Sequence, residues 1–407
     1  MIIPSIDLMN GKAVQLKQGK EKVLEREDVM ELAGEFAKYG EIAVIDLDAA
    51  LGKGDNSELV AALCKTVDCR VGGGIRTIER AQQVLGLGAK KIIIGTAASP
   101  QFLSQLPKER VIVAIDTKNS RVVNEGWTAT TSKTPIEMVK ELEGYCSEFL
   151  FTNVDREGLM QGIDLEAIKA IKNSTKNDLT VAGGITTFDD IKSIEEMGAN
   201  SQVGMALYTN KIDLAKSFIS LLDFEKSAKL IPTIAQDEFG QVLMLAFSTK
   251  ESLLKTFRTG KAAYFSRSRN ELWTKGETSG NFQQILKVRA DCDSDALLFT
   301  VRQTNVACHT GSYSCFGGRE FGIHELYSTI LDRIKNPQDF SYTSKLAQKE
   351  ESIMEKIKEE SEEVVNYRDK DNLVWEIADL TYFILVLMAK KGITVSDITN
   401  ELWRRKK

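Results

Sequence analysis

The chain has no excess of basic residues. Its 53 Lys and Arg stand against 58 Asp and Glu, for a net charge of −5, so nucleic acid is not expected as an electrostatic partner. The sequence contains no run of ~18 apolar residues, so no membrane span is expected. Its first residues, MIIPSIDLMNGK, read as a strand and a turn. They lack the basic region, apolar stretch and small-residue cleavage site of a signal peptide. Six cysteines in 407 residues are too few for a disulfide scaffold, which points to a reducing cytoplasm. Cys64, Cys69 and Cys146 stand among apolar residues and read as small core fillers. Histidine occurs only twice. What is present is 43% apolar residues, enough for ordinary buried cores, over a length that suggests two or three domains.

Through residue 224, short apolar runs alternate with amphipathic stretches. The runs are IIPSI, IAVIDL, CRVGGG, KIIIGT, VIVAID, FLFTNV, LTVAGG and SQVGMA, separated by segments such as REDVMELAGEFAKYG and TIERAQQVLGLGA. Strands with helical crossovers predict an N-terminal (β/α)8 TIM barrel. The two halves of this region also resemble each other. IDLMNGKAVQ from residue 6 matches IDTKNSRVVN from residue 115, VGGGIRT matches VAGGITT, and Gly95 matches Gly204. A shared offset at three places reads as a duplicated half-barrel.

The duplication predicts a paired site. Small residues after strands seven and eight let backbone N–H groups approach a phosphate; here these are Gly183, Gly184 and Gly204. The other half supplies Gly73, Gly74 and Gly95. Two facing cradles imply a long substrate with a phosphate at each end. Alternatively, the glycines only permit tight turns. Asp7 and Asp116 occupy equivalent strand ends. Carboxylates on opposite walls suit general acid–base work, although each could instead cap a turn.

IIPSIDLMNGKAVQL, VGGGIRT, VAIDTKNSRVVNEGW and VAGGI resemble the ProFAR isomerase family of histidine biosynthesis over residues 1–224. The resemblance implies an Amadori rearrangement of an aminoaldose to an aminoketose, with Asp7 as base and Asp116 as acid. It places Thr152 near Asp116 and Trp127 on a loop that stacks on substrate; Arg76, in VGGGIRT, is a further candidate substrate contact. Departures from the family are Gln15 and Met205, where Arg is usual, and Glu157-Gly158-Leu159 in place of DGT. The related cyclase barrel is the other barrel considered; its first strand reads differently from IPSIDL.

Past the charged stretch LLDFEKSAKL a strand-rich pattern begins with QVLMLAF and AAYFS, predicting a mainly-β domain over 225–318. Cys292, Cys308 and Cys315 follow at spacings of 16 and 7. Three thiolates suit zinc with a fourth position open for water. A structural zinc completed by His309, or three buried structural cysteines, are the alternatives. His309 reads better as a proton carrier beside the metal. Asp291, Asp293 and Asp295 alternate along the chain and suit magnesium. YFSRSRNELWTKGETSGNFQ mixes hydroxyls, glycines and cations in a pattern that suits a nucleotide. Its candidate contacts are Arg267, Arg269, Trp273, Lys275 and Glu277. These segments resemble phosphoribosyl-AMP cyclohydrolase, which implies zinc-activated water opening an adenine ring, in a homodimer whose active sites lie at the subunit interface.

From residue 322 the pattern is helical, predicting an all-α domain over 322–407. Glu360 and Glu363 are three apart, as are Glu376 and Asp379. Each pair therefore shares a helix face, and the two pairs together suit magnesium. Glu359 and Glu362 read as solvent-facing. The segment resembles phosphoribosyl-ATP pyrophosphatase, with Phe383 where that family often has His. The three resemblances imply a trifunctional enzyme of histidine biosynthesis using Zn2+ and Mg2+, and a homodimer formed through its second and third domains. The alternative is a bifunctional hydrolase whose barrel is a degenerate binding or oligomerisation module.

Overall fold

The computed structural model describes all residues except Gln18, Lys20, Glu125, Gly126, Thr128, Met160, Lys406 and Lys407. The described chain divides into two compact units, Met1–Gly317 and Gly318–Arg405.

The first unit opens with the barrel. Its eight parallel strands are Ile2–Met9, Ile42–Asp46, Cys69–Gly72, Lys91–Ile94, Val111–Lys118, Glu148–Asn153, Asp178–Ala182 and Asn200–Val203. Each falls on one of the eight apolar runs. Strand eight pairs with strand one, and strand five with strand six, so the sheet closes. Continuous apolar runs form these strands because both faces are buried. Inside the barrel, Ile93, Ile112, Leu150 and Ala182 pack together and leave the upper end open. Outside, the helices are fixed by their caps: Thr77 accepts from the Arg80 N–H and Thr187 from the Asp190 N–H.

The duplication is visible in single hydrogen bonds. After strand one, the Asn10 N–H donates to Asp48 Oδ2 at 2.6 Å. After strand five, the Asn119 N–H donates to Asp155 Oδ2 at 2.7 Å. Both asparagines have positive φ, 51° and 48°, which this residue type tolerates. At the lower end, Arg70 is 3% exposed and pairs with Glu41 and with Glu148, which is 1% exposed and also binds Lys91 at 2.8 Å. Charges this deep are stable only as a satisfied group.

The six-stranded sheet that follows has the order 271–274, 263–266, 242–248, 231–236, 297–303, 283–290. It docks at the N-terminal ends of barrel strands, away from the open end. The Val288 N–H donates to the Lys38 carbonyl at 2.7 Å, and Lys287 binds Asp68 at 2.8 Å. Tyr39 stacks on Phe257 with ring centroids 4.3 Å apart. Phe218, Ile219 and Phe224 belong to the core of the sheet domain rather than to that of the barrel. LLDFEKSAKL is thus an ordered turn with an apolar anchor.

The second unit is helical: Ile323–Lys335, Tyr342–Leu346, Glu350–Val365, Lys370–Lys391 and Val395–Arg405. The helix Lys370–Lys391 is long and apolar enough to cross a membrane. It is not an uninterrupted apolar run, because Glu376 and Asp379 stand among its apolar residues. Phe383, Leu385, Val386 and Met388 from its second half pack against Tyr327, Ile330 and Ile353 in this unit's core. Its first half leaves Val374, Trp375 and Ile377 exposed.

Candidate active sites

The open end of the barrel holds one cavity, lined by Asp7, Asp116, Thr152, Trp127, Arg76 and all six cradle glycines. The structure thus brings together every residue expected of the barrel site. Gly73 and Gly74 have φ of +101° and +68°, and Gly183 and Gly184 both +83°, a region that disfavours side chains. A Cβ on Gly73 would come 2.1 Å from the Asp46 carbonyl oxygen, and one on Gly184 2.4 Å from that of Gly162. The glycines therefore meet a packing need in both halves, while leaving bare backbone on the cavity wall.

Burial pushes Asp7 up to about 6, against the opposing hydrogen bond from Ser5 Oγ at 3.1 Å. Burial also raises Asp116, against hydrogen bonds from Trp127 and Thr152. The Trp127 indole N–H donates to Asp116 at 2.9 Å, and Thr152 is its register partner on strand six. Gly19 lies against the Trp127 ring; a Cβ there would come within 2.7 Å of it.

A third carboxylate lies in the same cavity. Glu157 is pushed up to about 8, first by burial and then by the charges of Asp7 and Asp116. Its Oε2 is buried without a hydrogen-bond partner, as is Gln202 Oε1, and Gln15 Nε2 makes no hydrogen bond of good geometry. In the sequence, Glu157 and Gln15 stand out only as departures from a pattern, and Gln202 belongs to no motif. Strand alternation was the signal for Gln202: with Gly204 two residues on, it faces inward.

In the sheet domain, Cys308 and Cys315 meet. Hydrogen bonding, chiefly from Thr310, lowers the Cys308 thiol, whereas burial and Cys308 raise Cys315. The Thr310 hydroxyl is 3.0 Å from Cys308 Sγ, and His309 Nδ1 is 4.0 Å from it. Lys275, beside both thiols, is lowered by burial and binds the Ala307 carbonyl. Cys292 does not join them. Among the described residues, no group of three ligand atoms within 4.8 Å of one another includes a cysteine.

Cys292 lies in the exposed turn of Asp291, Asp293 and Asp295, whose carboxylates do approach within 4.8 Å. That turn is tied down: Asp291 Oδ1 accepts from the Asp295 and Ala296 N–H groups, and Lys226 binds Asp293 at 3.2 Å. Of the nucleotide candidates, Arg267 covers the Phe247 ring at 3.9 Å, and Arg269 pairs with Glu271 at 3.1 Å. Both line a surface depression with Trp273. Glu277 accepts from the Thr274 N–H at 3.2 Å and so holds its own turn.

In the helical unit, Glu360, Glu363 and Glu376 come within 4.8 Å of one another. Glu360 is raised by burial and then by Asp379 and Glu363, and Glu363 is raised by Glu376. Asn372 donates to Glu376 at 2.5 Å. These like charges oppose one another across the two helices.

Comparison with known proteins accords with this geometry. The family model "Histidine biosynthesis protein" matches residues 1–213, "Phosphoribosyl-AMP cyclohydrolase" 244–317 and "Phosphoribosyl-ATP pyrophosphohydrolase" 323–406. An imidazole-4-carboxamide isomerase from Methanocaldococcus jannaschii is 41% identical over 230 residues, covering 53% of this chain and 97% of its own length. The "histidine biosynthesis bifunctional protein HisIE" of Thermoanaerobacter pseudethanolicus is 44% identical over 201 residues, covering 42% of this chain and 93% of its own length. A "histidine biosynthesis trifunctional protein" from Saccharomyces bayanus is 36% identical over 231 residues, covering 56% of this chain and 29% of its own length. The chain belongs to the histidine biosynthesis protein family, and joins to that barrel a phosphoribosyl-AMP cyclohydrolase domain and a phosphoribosyl-ATP pyrophosphohydrolase domain.

Proposed function

We propose that the chain catalyses three reactions of one sequence. The helical unit hydrolyses phosphoribosyl-ATP to phosphoribosyl-AMP and pyrophosphate. The sheet domain opens the adenine ring of phosphoribosyl-AMP to give ProFAR. The barrel isomerises ProFAR. The observation that carries the barrel step is the juxtaposition of Asp7, Asp116 and two glycine cradles in one cavity. Asp116, raised by burial, gives its proton to the furanose ring oxygen as the C1–O bond breaks. Asp7 takes the C2 proton, and tautomerisation yields the ketose. Glu157, with a value of about 8, is protonated at neutral pH and adds no charge beside the base.

Cys308 and Cys315 fit a thiophilic cation, because the pair is adjacent and hydrogen bonding favours the Cys308 thiolate. Cys292 would complete the set from a second copy, since it does not reach the other two in one chain. Zinc bound there supplies Lewis-acid activation of water. His309 carries protons beside it, while Arg267 and Arg269 hold the nucleotide phosphate. Glu360, Glu363, Glu376 and Asp379 fit magnesium, which relieves their mutual repulsion and neutralises a pyrophosphate. Asp291, Asp293 and Asp295 form a second magnesium candidate. The exposed Val374, Trp375 and Ile377 fit the same homodimer. Six unpaired cysteines suit a reducing cytoplasm.

A second reading, a barrel that binds but does not catalyse, draws on the scarcity of cations in the cavity. Asp7→Asn and Asp116→Asn separate the two. Each is expected to abolish ProFAR turnover while leaving both hydrolyses intact; undiminished turnover in both would overturn the isomerase assignment.

A further inference from the structure

The two ends of the barrel cavity differ in charge. Among the described residues that line it, Arg76 is the sole Lys or Arg. It stands beside Gly73 and Gly74 and is anchored to the Ala50 carbonyl at 2.6 Å. The other end, at Gly183, Gly184 and Gly204, has amides instead. Gln15 is 4% exposed and Gln202 9% exposed. Gln15 comes from the strand Lys12–Lys17, which returns antiparallel along strand one, and the register of that strand against the next, Glu21–Arg26, shifts between Gln15 and Leu16. Its amide lies against Gly204, where a Cβ would come 2.9 Å from Oε1. Oε1 of Gln202 is buried without a partner, and Nε2 of Gln15, beside the Tyr208 hydroxyl, makes no hydrogen bond of good geometry. A buried amide group with no hydrogen bond is left with an uncompensated loss of its water contacts. Two such groups, one donor and one acceptor, facing the same cavity are groups awaiting a ligand.

We propose that Gln15 and Gln202 form a neutral recognition pair for the phosphoribosyl end seated at Gly183, Gly184 and Gly204. Gln15 Nε2 donates to a phosphate oxygen, and Gln202 Oε1 accepts from a ribose hydroxyl. The substrate is then gripped by charge at the Arg76 end only and read by hydrogen bonds at the other. This rests on the isomerase reading and assigns two further specificity residues to it.

The test is equilibrium binding of ProFAR by calorimetry, using the full chain in an Asp7→Asn background that leaves the ligand intact. Gln15→Met and Gln202→Met keep side-chain volume and remove the hydrogen bond. Each is expected to weaken binding by about tenfold, the loss of one hydrogen bond to a charged or hydroxyl partner. Gln15→Arg is expected to steepen the salt dependence of binding, because it adds a cation at an end that had none. A merely structural glutamine would not produce that change. Kd values within twofold of the parent for both Met variants, with unchanged thermal unfolding, would overturn the proposal. If the wild-type chain still turns ProFAR over, only the amide pair is wrong. If the wild-type chain neither binds nor turns over ProFAR, both readings fall.

Discussion

Trp127 donates its indole N–H to the Asp116 carboxylate across 2.9 Å. The bond favours the charged form of Asp116 and so opposes the burial that raises it. Replacing Trp127 with Phe keeps a ring over the cavity and removes this donor. Asp116 then titrates higher and remains an acid to higher pH. The alkaline limb of the isomerase pH profile is expected to move upward. The acidic limb, set by Asp7 at about 6, is expected to stay. Steady-state kinetics from pH 5 to 10 check this, and an unmoved alkaline limb counts against Asp116 as the acid.

Glu157 ties stability to pH. Its value in the fold, about 8, exceeds its ordinary 4.5. Between these limits the folded chain holds a proton that the unfolded chain has lost. The contribution is therefore fully present below pH 4.5 and is lost as pH rises through about 8. Glu157→Gln removes the titration. Relative to the parent, the variant is expected to gain about 4 kcal/mol between pH 5 and pH 9, roughly three pH units at ~1.4 kcal/mol each. Thermal unfolding of both proteins at the two pH values measures the difference. A parallel response in both would place Glu157 outside the buried cluster.

The separation of Cys292 from Cys308 and Cys315 within one chain allows a complementation test. Cys292→Ser and Cys308→Ser are each expected to lose cyclohydrolase activity and zinc. If the site combines residues of two copies, mixing the unfolded variants and refolding them together restores about a quarter of the parental activity, since half the random dimers are hybrids with one intact site. No recovery in the mixture, where parental chains refold normally, would exclude a shared site.

The neighbouring Glu376 raises the Glu363 carboxyl, so the two carboxylates, facing one another without a cation, cost stability until one arrives. Glu376→Gln is expected to raise the Tm of the metal-free protein, because it removes one of the facing carboxylates. It is also expected to lower phosphoribosyl-ATP hydrolysis at least about a hundredfold. A lower Tm with full activity would leave these residues without a metal role.

Much of the fold was legible because the barrel strands are continuous apolar runs and the duplication repeats whole motifs. The paired Asn10–Asp48 and Asn119–Asp155 bonds are that repeat at atomic scale. The carboxylate pairs of the C-terminal helices were legible from helical spacing alone. Two kinds of feature were not. Gln15 and Glu157 gain meaning from burial among side chains brought by distant strands, which a linear pattern does not carry. The cysteines are spaced like a single ligand set, yet the tied-down turn of Asp291–Asp295 keeps Cys292 from the other two. The domain boundary was also softer than composition suggested: Phe218 and Phe224 belong to the sheet core although they follow the barrel pattern.

The most direct measurement supplies purified chain with phosphoribosyl-ATP, magnesium and zinc, and follows products by chromatography that separates ProFAR from its equal-mass ketose. The expected products are phosphoribosyl-AMP, then ProFAR, then the ketose as the final product. Accumulation of ProFAR without ketose would contradict it, and would leave two working hydrolases joined to a barrel that does not isomerise.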